Sequence, residues 1–209
     1  MVHTGPVRPP RLVAAVVVGL VAGLPMACSS SDGRALPPPD ADQTTTTPSA
    51  PVIQAPTSPS GAFSLQSTAF TDGGVLPARL TCAGAATSPD LAWTGTPADA
   101  VELAIVVRDR DADGFVHWVV TGIDPFVQGI GEGGVPENAI EGPNGADAIG
   151  WLGPCPPAGS GTHTYEVALL SLPAVVALPP GGTAEEVASL LEASADERAL
   201  LAGTVTAGG

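Results

Sequence analysis

The 209-residue sequence predicts a mainly β domain with helices towards its C-terminus. Three observations predict it. Val101 to Asp109 (VELAIVVRD), Val116 to Ile123 (VHWVVTGI) and His163 to Leu172 (HTYEVALLSL) are apolar, β-branched runs of strand length. Gly/Pro-rich segments separate such runs, above all Pro125 to Gly161, which is long enough to read as a functional loop. One helix signal is clear: Thr183 and Glu186 form a capping-box pattern, and Val187, Leu190 and Leu191 follow at helical spacing.

Residues 1–27 read as an export signal. Arg8 and Arg11 precede an uncharged apolar run from Leu12 to Leu24, a span of 13 residues. A transmembrane helix needs about 20, so the run suits a signal-peptide core better. It ends in LPMACSSSDG, which resembles the lipobox of bacterial lipoproteins, with Pro25 where an aliphatic residue is usual. That resemblance implies cleavage before Cys28 and acyl chains on Cys28, on the extracytoplasmic side of the cell membrane. Two or more buried chains anchor stably where one does not.

Residues 28–60 are Ser, Thr, Pro, Ala and Asp with almost no large apolar side chain. Such a segment cannot bury enough surface to offset its chain entropy, so a disordered linker is expected. Residues 61–209 form the folded domain. Phe63 to Phe70 (FSLQSTAF) reads as an edge strand, and Ala195 to Ala202 as a second short helix. The short Asp/Gly stretch after Asp109 calls for a hairpin-like return into the Val116 strand.

The chain has no Lys, seven Arg and 21 acidic residues, a formal charge of -14. Phosphate-backbone binding needs clustered cations, so nucleic acid is excluded as a partner. Nor is there electrostatic attraction to an anionic membrane, so membrane attachment falls to Cys28.

Polar residues concentrate at the strand ends. Asp109, Asp111 and Asp113 alternate after the first run, and His117 and Trp118 open the next. His163 and Tyr165 open the third. Residues at i and i+2 of a strand share a face, which pairs His163 with Tyr165, and Asp109 with Asp111 if the strand persists.

These motifs resemble the phosphatidylethanolamine-binding protein family, in its bacterial Raf-kinase-inhibitor-like branch. They are D109-R-D111-A-D113, H117-W118 and G153-P-C-P-P-A-G-S-G-T-H163-T-Y165, with D72-G-G-V-L-P, T81-C-A-G and S88-P-D-L-A-W93 upstream. The resemblance runs from about Phe63 to the C-terminus. It implies a large central antiparallel sheet packed on a smaller sheet, with C-terminal helices. It also implies a cavity for a small anionic or phosphoryl ligand, lined by Asp109, His117, Pro156, His163 and Tyr165 and supported by Asp111. Two imidazoles and a phenol supply hydrogen-bond donors for phosphate oxygens. Arg110 and Asp113 stand where the family has Pro. The extra carboxylate opposes phosphate unless Arg108 or Arg110 offsets it.

With Cys28 lipidated, Cys82 and Cys155 remain as an even pair in an oxidising compartment, and a disulfide between them is expected. D109-R-D111-A-D113-G114 matches the opening of an EF-hand loop. Its twelfth position is Val120 and its flanks are strands, so that motif fails. No metal-type Cys pair and no G-x-S-x-G elbow occur, and Ser160 near His163 shows no base–orienter geometry in the sequence. No cofactor, no metal and no catalytic residue is expected. The function implied is small-ligand binding. The alternatives are a protein that modulates another protein and, behind it, a hydrolytic or metal-dependent enzyme.

Overall fold

The computed structural model describes residues 61–208, and the export signal, Cys28 and the linker to residue 60 lie outside them. The strands are β1 (Ser64–Gln66), β2 (Gly74–Val75), β3 (Leu91–Thr94), β4 (Glu102–Asp109), β5 (Phe115–Ile123), β6 (Gly129–Ile130), β7 (Ile140–Glu141), β8 (Thr162–Leu172) and β9 (Glu197–Thr206). The helix α1 spans Ala184–Ser194. The large sheet has the order β2-β9-β8-β4-β5-β7 and the small one β1-β3-β6. All pairings are antiparallel except β2 with β9.

The three apolar runs form the centre of the large sheet. All eight residues of β4 are buried, because both faces of the sheet are covered. Alternation divides them. Leu103, Ile105 and Val107 join Trp118, Tyr165 and Leu169 in a core that includes Leu65, Leu91 and Trp93 of the small sheet. Ala104 and Val106 face the other way and pack with Leu170 and Leu172 against Val187, Ala188 and Leu191 of α1.

The helix begins as its capping box requires. The Glu186 N–H donates to Thr183 Oγ1 (3.2 Å), and the Thr183 N–H donates to Glu186 Oε2 (2.8 Å). The expected second helix at Ala195–Ala202 does not form: Ala195 caps α1, and β9 begins at Glu197. Its Ala and Leu content favours helix, but ten residue pairs register with β8 and bury Ala199 and Leu201. Gly203 belongs to this strand because any Cβ there would strike Leu76. The edge strand is also shorter than Phe63–Phe70. Asp90 ends it, accepting from the Ser67 hydroxyl (3.2 Å) and from the N–H and hydroxyl of Thr68 (2.8 and 2.7 Å).

Arg108 is the polar member of the α1-facing row of β4. Its Nε donates to Glu192 (2.8 Å), and its Nη1 donates to Glu185 (2.6 Å) and to the Gly114 carbonyl (2.8 Å). Burial works against its charge, and the two carboxylates outweigh that and hold it protonated. It ties the helix to the sheet and is turned away from the face carrying Asp109.

Candidate functional site

Asp109, His117, His163 and Tyr165 meet at one end of the face that carries the small sheet. Asp109 continues the Leu103–Ile105–Val107 row, and His163 and Tyr165 continue the Val167–Leu169 row. Asp109 and Tyr165 are direct neighbours across the β4–β8 ladder. His117 arrives by a different device. Val107 pairs with Trp118 and Arg108 with Val116, so His117 is the unpaired residue of a β-bulge. The bulge lets His117 and Trp118, adjacent in sequence, both serve that face.

The Gly153–Gly161 segment forms the opposite wall. The Cys82–Cys155 disulfide holds it, with Cα atoms 5.4 Å apart, and the Cys82 N–H donates to the Pro154 carbonyl (3.0 Å). His117 and Leu152 are joined twice. The Leu152 N–H donates to the His117 carbonyl (2.9 Å), and His117 Nδ1 donates to the Leu152 carbonyl (2.7 Å).

Between these walls lies a cavity of about 300 Å³. Ala112, Phe115, Leu152, Pro156 and Pro157 line it with the four polar side chains. Two other depressions, of about 490 and 390 Å³, are more open and contain no histidine. Four rings form a row along the cavity. Phe115 meets His117 edge-on at 5.2 Å, His117 meets Tyr165 edge-on at 5.1 Å, and Tyr165 stacks on His163 at 6.4 Å.

The polar groups are almost completely buried: Asp109 is 4% exposed, His117 5%, His163 6% and Tyr165 1%. His163 Nδ1 donates to Asp109 Oδ2 (2.7 Å), and Oδ1 of the same carboxylate accepts from the Asp111 N–H (2.9 Å). Burial is the main cause lowering the His117 pKa below its usual 6.5, against the opposing pull of the Leu152 carbonyl and the Asp109 charge. Its Nδ1 proton is committed to Leu152, so its Nε2 in the neutral ring is an acceptor. Burial first, then the Asp109 charge, pushes the Tyr165 phenol above its ordinary value, so it stays protonated. The neighbouring Asp109 carboxylate favours the protonated phenol through its charge and as a nearby acceptor, although the hydroxyl makes no hydrogen bond of good geometry to it or to any other group.

Asp111 is not on the cavity face. β4 ends at Asp109, and exposed Asp111 accepts from the Thr164 N–H (2.7 Å). It supports the site indirectly, through its own N–H on Asp109 and through its charge, which helps keep the Tyr165 phenol protonated. Asp113 is exposed in the turn at φ 52. Among the described residues, no three His, Cys, Asp or Glu side chains gather as a metal site. Neither arginine offsets the carboxylates at the cavity. Arg108 serves α1, and Arg110 is directed at Glu166, 3.8 Å away.

Sequence alone sets Ser160 aside for want of a base–orienter geometry, and of the apolar wall it singles out only Pro156. Ser160 Oγ lies 2.9 Å from His163 Nε2 and donates to the Pro157 carbonyl (2.7 Å). Its place three residues before His163 was the available signal. The histidine's orientation by Asp109 needed the β4–β8 register.

Known proteins share this architecture. The family model described as phosphatidylethanolamine-binding protein matches residues 66–206. LppC of Mycobacterium tuberculosis, whose name proposes it as a lipoprotein, is 37% identical over 206 residues, covering 97% of this chain and 96% of its own length. The crystal structure of Chlamydia trachomatis CT736, described as a homologue in the same family, is 31% identical with a TM-score of 0.62. It matches 70% of this chain and 98% of its own. Escherichia coli YbcL, described as a member of the mammalian family, is 26% identical with a TM-score of 0.64, over 69% and 98% of the two chains. With its large sheet over a smaller one and its matching residues 66–206, this chain belongs to the phosphatidylethanolamine-binding protein family.

Proposed function

We propose that this protein is a membrane-anchored, extracytoplasmic binding protein whose cavity takes a small anion or phosphoryl head group. The observation that carries the reading is the Tyr165 hydroxyl, a buried donor with no partner in a cavity shared with two imidazoles. An unsatisfied buried donor costs about 1–3 kcal/mol, and a ligand oxygen removes that cost. His117 Nε2 accepts from a protonated phosphate oxygen, or donates to an anionic one after taking up a proton. The apolar wall of Phe115, Leu152, Pro156 and Pro157 strengthens such bonds by excluding water. Asp109 accepts from His163 and from the Asp111 N–H, and so fixes the imidazole.

Calorimetry with inorganic phosphate and with phosphorylethanolamine tests this. Saturable heat in the native protein, absent in a His117→Ala/His163→Ala double variant, is expected. Full binding by the double variant overturns the pocket.

The anchor is the second part of the reading. Residues 1–27 act as signal peptide, Cys28 carries the lipid, and residues 28–60 link it to the domain at 61–209. The similarity to LppC spans nearly the whole chain and supports this. No helix among the described residues is long and apolar enough to cross a membrane. Metabolic lipid labelling of native protein and Cys28→Ala tests the anchor, and equal labelling of the two contradicts it.

A further inference from the structure

We propose that Ser160 is a nucleophile, activated through His163 by Asp109, and that the cavity mouth takes a carboxylic ester and transfers its acyl group to the Ser160 hydroxyl. This goes beyond anion binding and uses a residue that the binding role does not need.

The geometry is that of a nucleophile, a base and an orienting carboxylate in one line. Ser160 Oγ is 2.9 Å from His163 Nε2, and His163 Nδ1 is 2.7 Å from Asp109 Oδ2. The carboxylate is itself held by the Asp111 N–H at 2.9 Å. Since a carboxylate only accepts, Nδ1 carries a proton, and Nε2 of the neutral ring is left to accept one from the serine. The Ser160 hydroxyl now donates to the Pro157 carbonyl at 2.7 Å. Rotation about its C–O bond moves that proton to Nε2 without moving a heavy atom. Gly159 and Gly161 flank Ser160 at φ 80 and 91, a left-handed backbone that folds the serine back over His163. Ser160 itself is exposed while His163 is buried, so the hydroxyl meets solvent-borne substrate and the base is shielded.

In the transfer, the Ser160 Oγ–carbon bond forms and the ester carbon–oxygen bond breaks. The serine proton passes to His163 Nε2 and then to the departing alkoxide, which leaves as an alcohol. Water then adds to the acyl-serine, giving its proton to Nε2, and the carboxylic acid departs as Ser160 regains its hydrogen. Ala112, Phe115, Leu152 and Pro156 receive a small apolar acyl group.

Diisopropyl fluorophosphate tests the nucleophile, in phosphate-free buffer at pH 8 with intact-mass analysis and peptide mapping. One adduct per chain on Ser160 is expected, with loss of fluoride. It should be absent from Ser160→Ala, an exposed change that leaves the core intact, and slowed at least about 100-fold in Asp109→Asn. No adduct on Ser160, under conditions that label a serine protease to completion, overturns the proposal. Labelling of Asp109→Asn at the native rate also overturns it. Phosphate binding is measured separately on unlabelled protein, so failure of either reading is seen apart from the other.

Discussion

Asp109 and His163, 54 residues apart in sequence, are joined by a 2.7 Å hydrogen bond between the ends of β4 and β8. The bond sets which nitrogen of His163 carries its proton and turns Nε2 towards Ser160. On the next strand of the sheet, the Leu152 carbonyl sets the tautomer of His117. Two imidazoles with fixed tautomers and one phenol therefore share a largely apolar cavity.

Tyr165→Phe separates ligand recognition from folding. Removing an unpaired hydroxyl relieves the empty protein of a desolvated donor, so stability should hold or rise by up to about 1 kcal/mol. Phosphate affinity should fall by a comparable energy, about fivefold. Urea unfolding and calorimetry on the same variant check both signs.

Arg108→Met tests the division of the sheet into two faces. It leaves the Gly114 carbonyl and two carboxylates without their cation, and Glu185 is largely exposed. A loss of about 2 kcal/mol in urea unfolding is expected, below the cost of breaking a fully buried pair. Phosphate affinity should be unchanged, because Arg108 points to α1 rather than to the cavity.

Stability should fall as the medium is acidified, with His117 as one cause. Its folded pKa lies below 6.5, so the unfolded chain takes up a proton first. The stabilisation is complete above pH 6.5 and is lost as pH drops through the folded value. Asp109 and His163 act on the same ring, the first favouring its charge and the second opposing it. Urea midpoints of native protein and His117→Gln, measured from pH 8 to 5, should converge as pH falls.

The disulfide closes a loop spanning a sequence separation of 73 residues. Its constraint on the unfolded chain is worth about 4 kcal/mol. A Cys82→Ser/Cys155→Ser variant should lose that much in urea unfolding. Its phosphate affinity should also drop, since the bridge holds the wall carrying Pro156.

Much of this was legible in the residues. The three β-branched runs specified the central strands, and Thr183 with Glu186 specified where α1 begins. His163 and Tyr165 sat at i and i+2 and do share the cavity face. What was hidden depends on long-range pairing. Ala195–Ala202 has helical composition, and only the ladder with β8 makes it a strand from Glu197 onwards. Asp109 and Asp111 part company because the chain turns immediately after Asp109. The bulge that aims His117, and the orientation of His163 by Asp109, follow from strand register, which no local pattern encodes.

A proton NMR titration of the two histidine rings with inorganic phosphate tests the binding cavity most directly. His117 and His163 are the only histidines after residue 27, so their ring resonances are readily assigned by single substitution. Both sets should move along one saturable curve, and Tyr165→Phe should weaken it. Rings that stay unmoved at tens of millimolar phosphate would contradict an anion site between them.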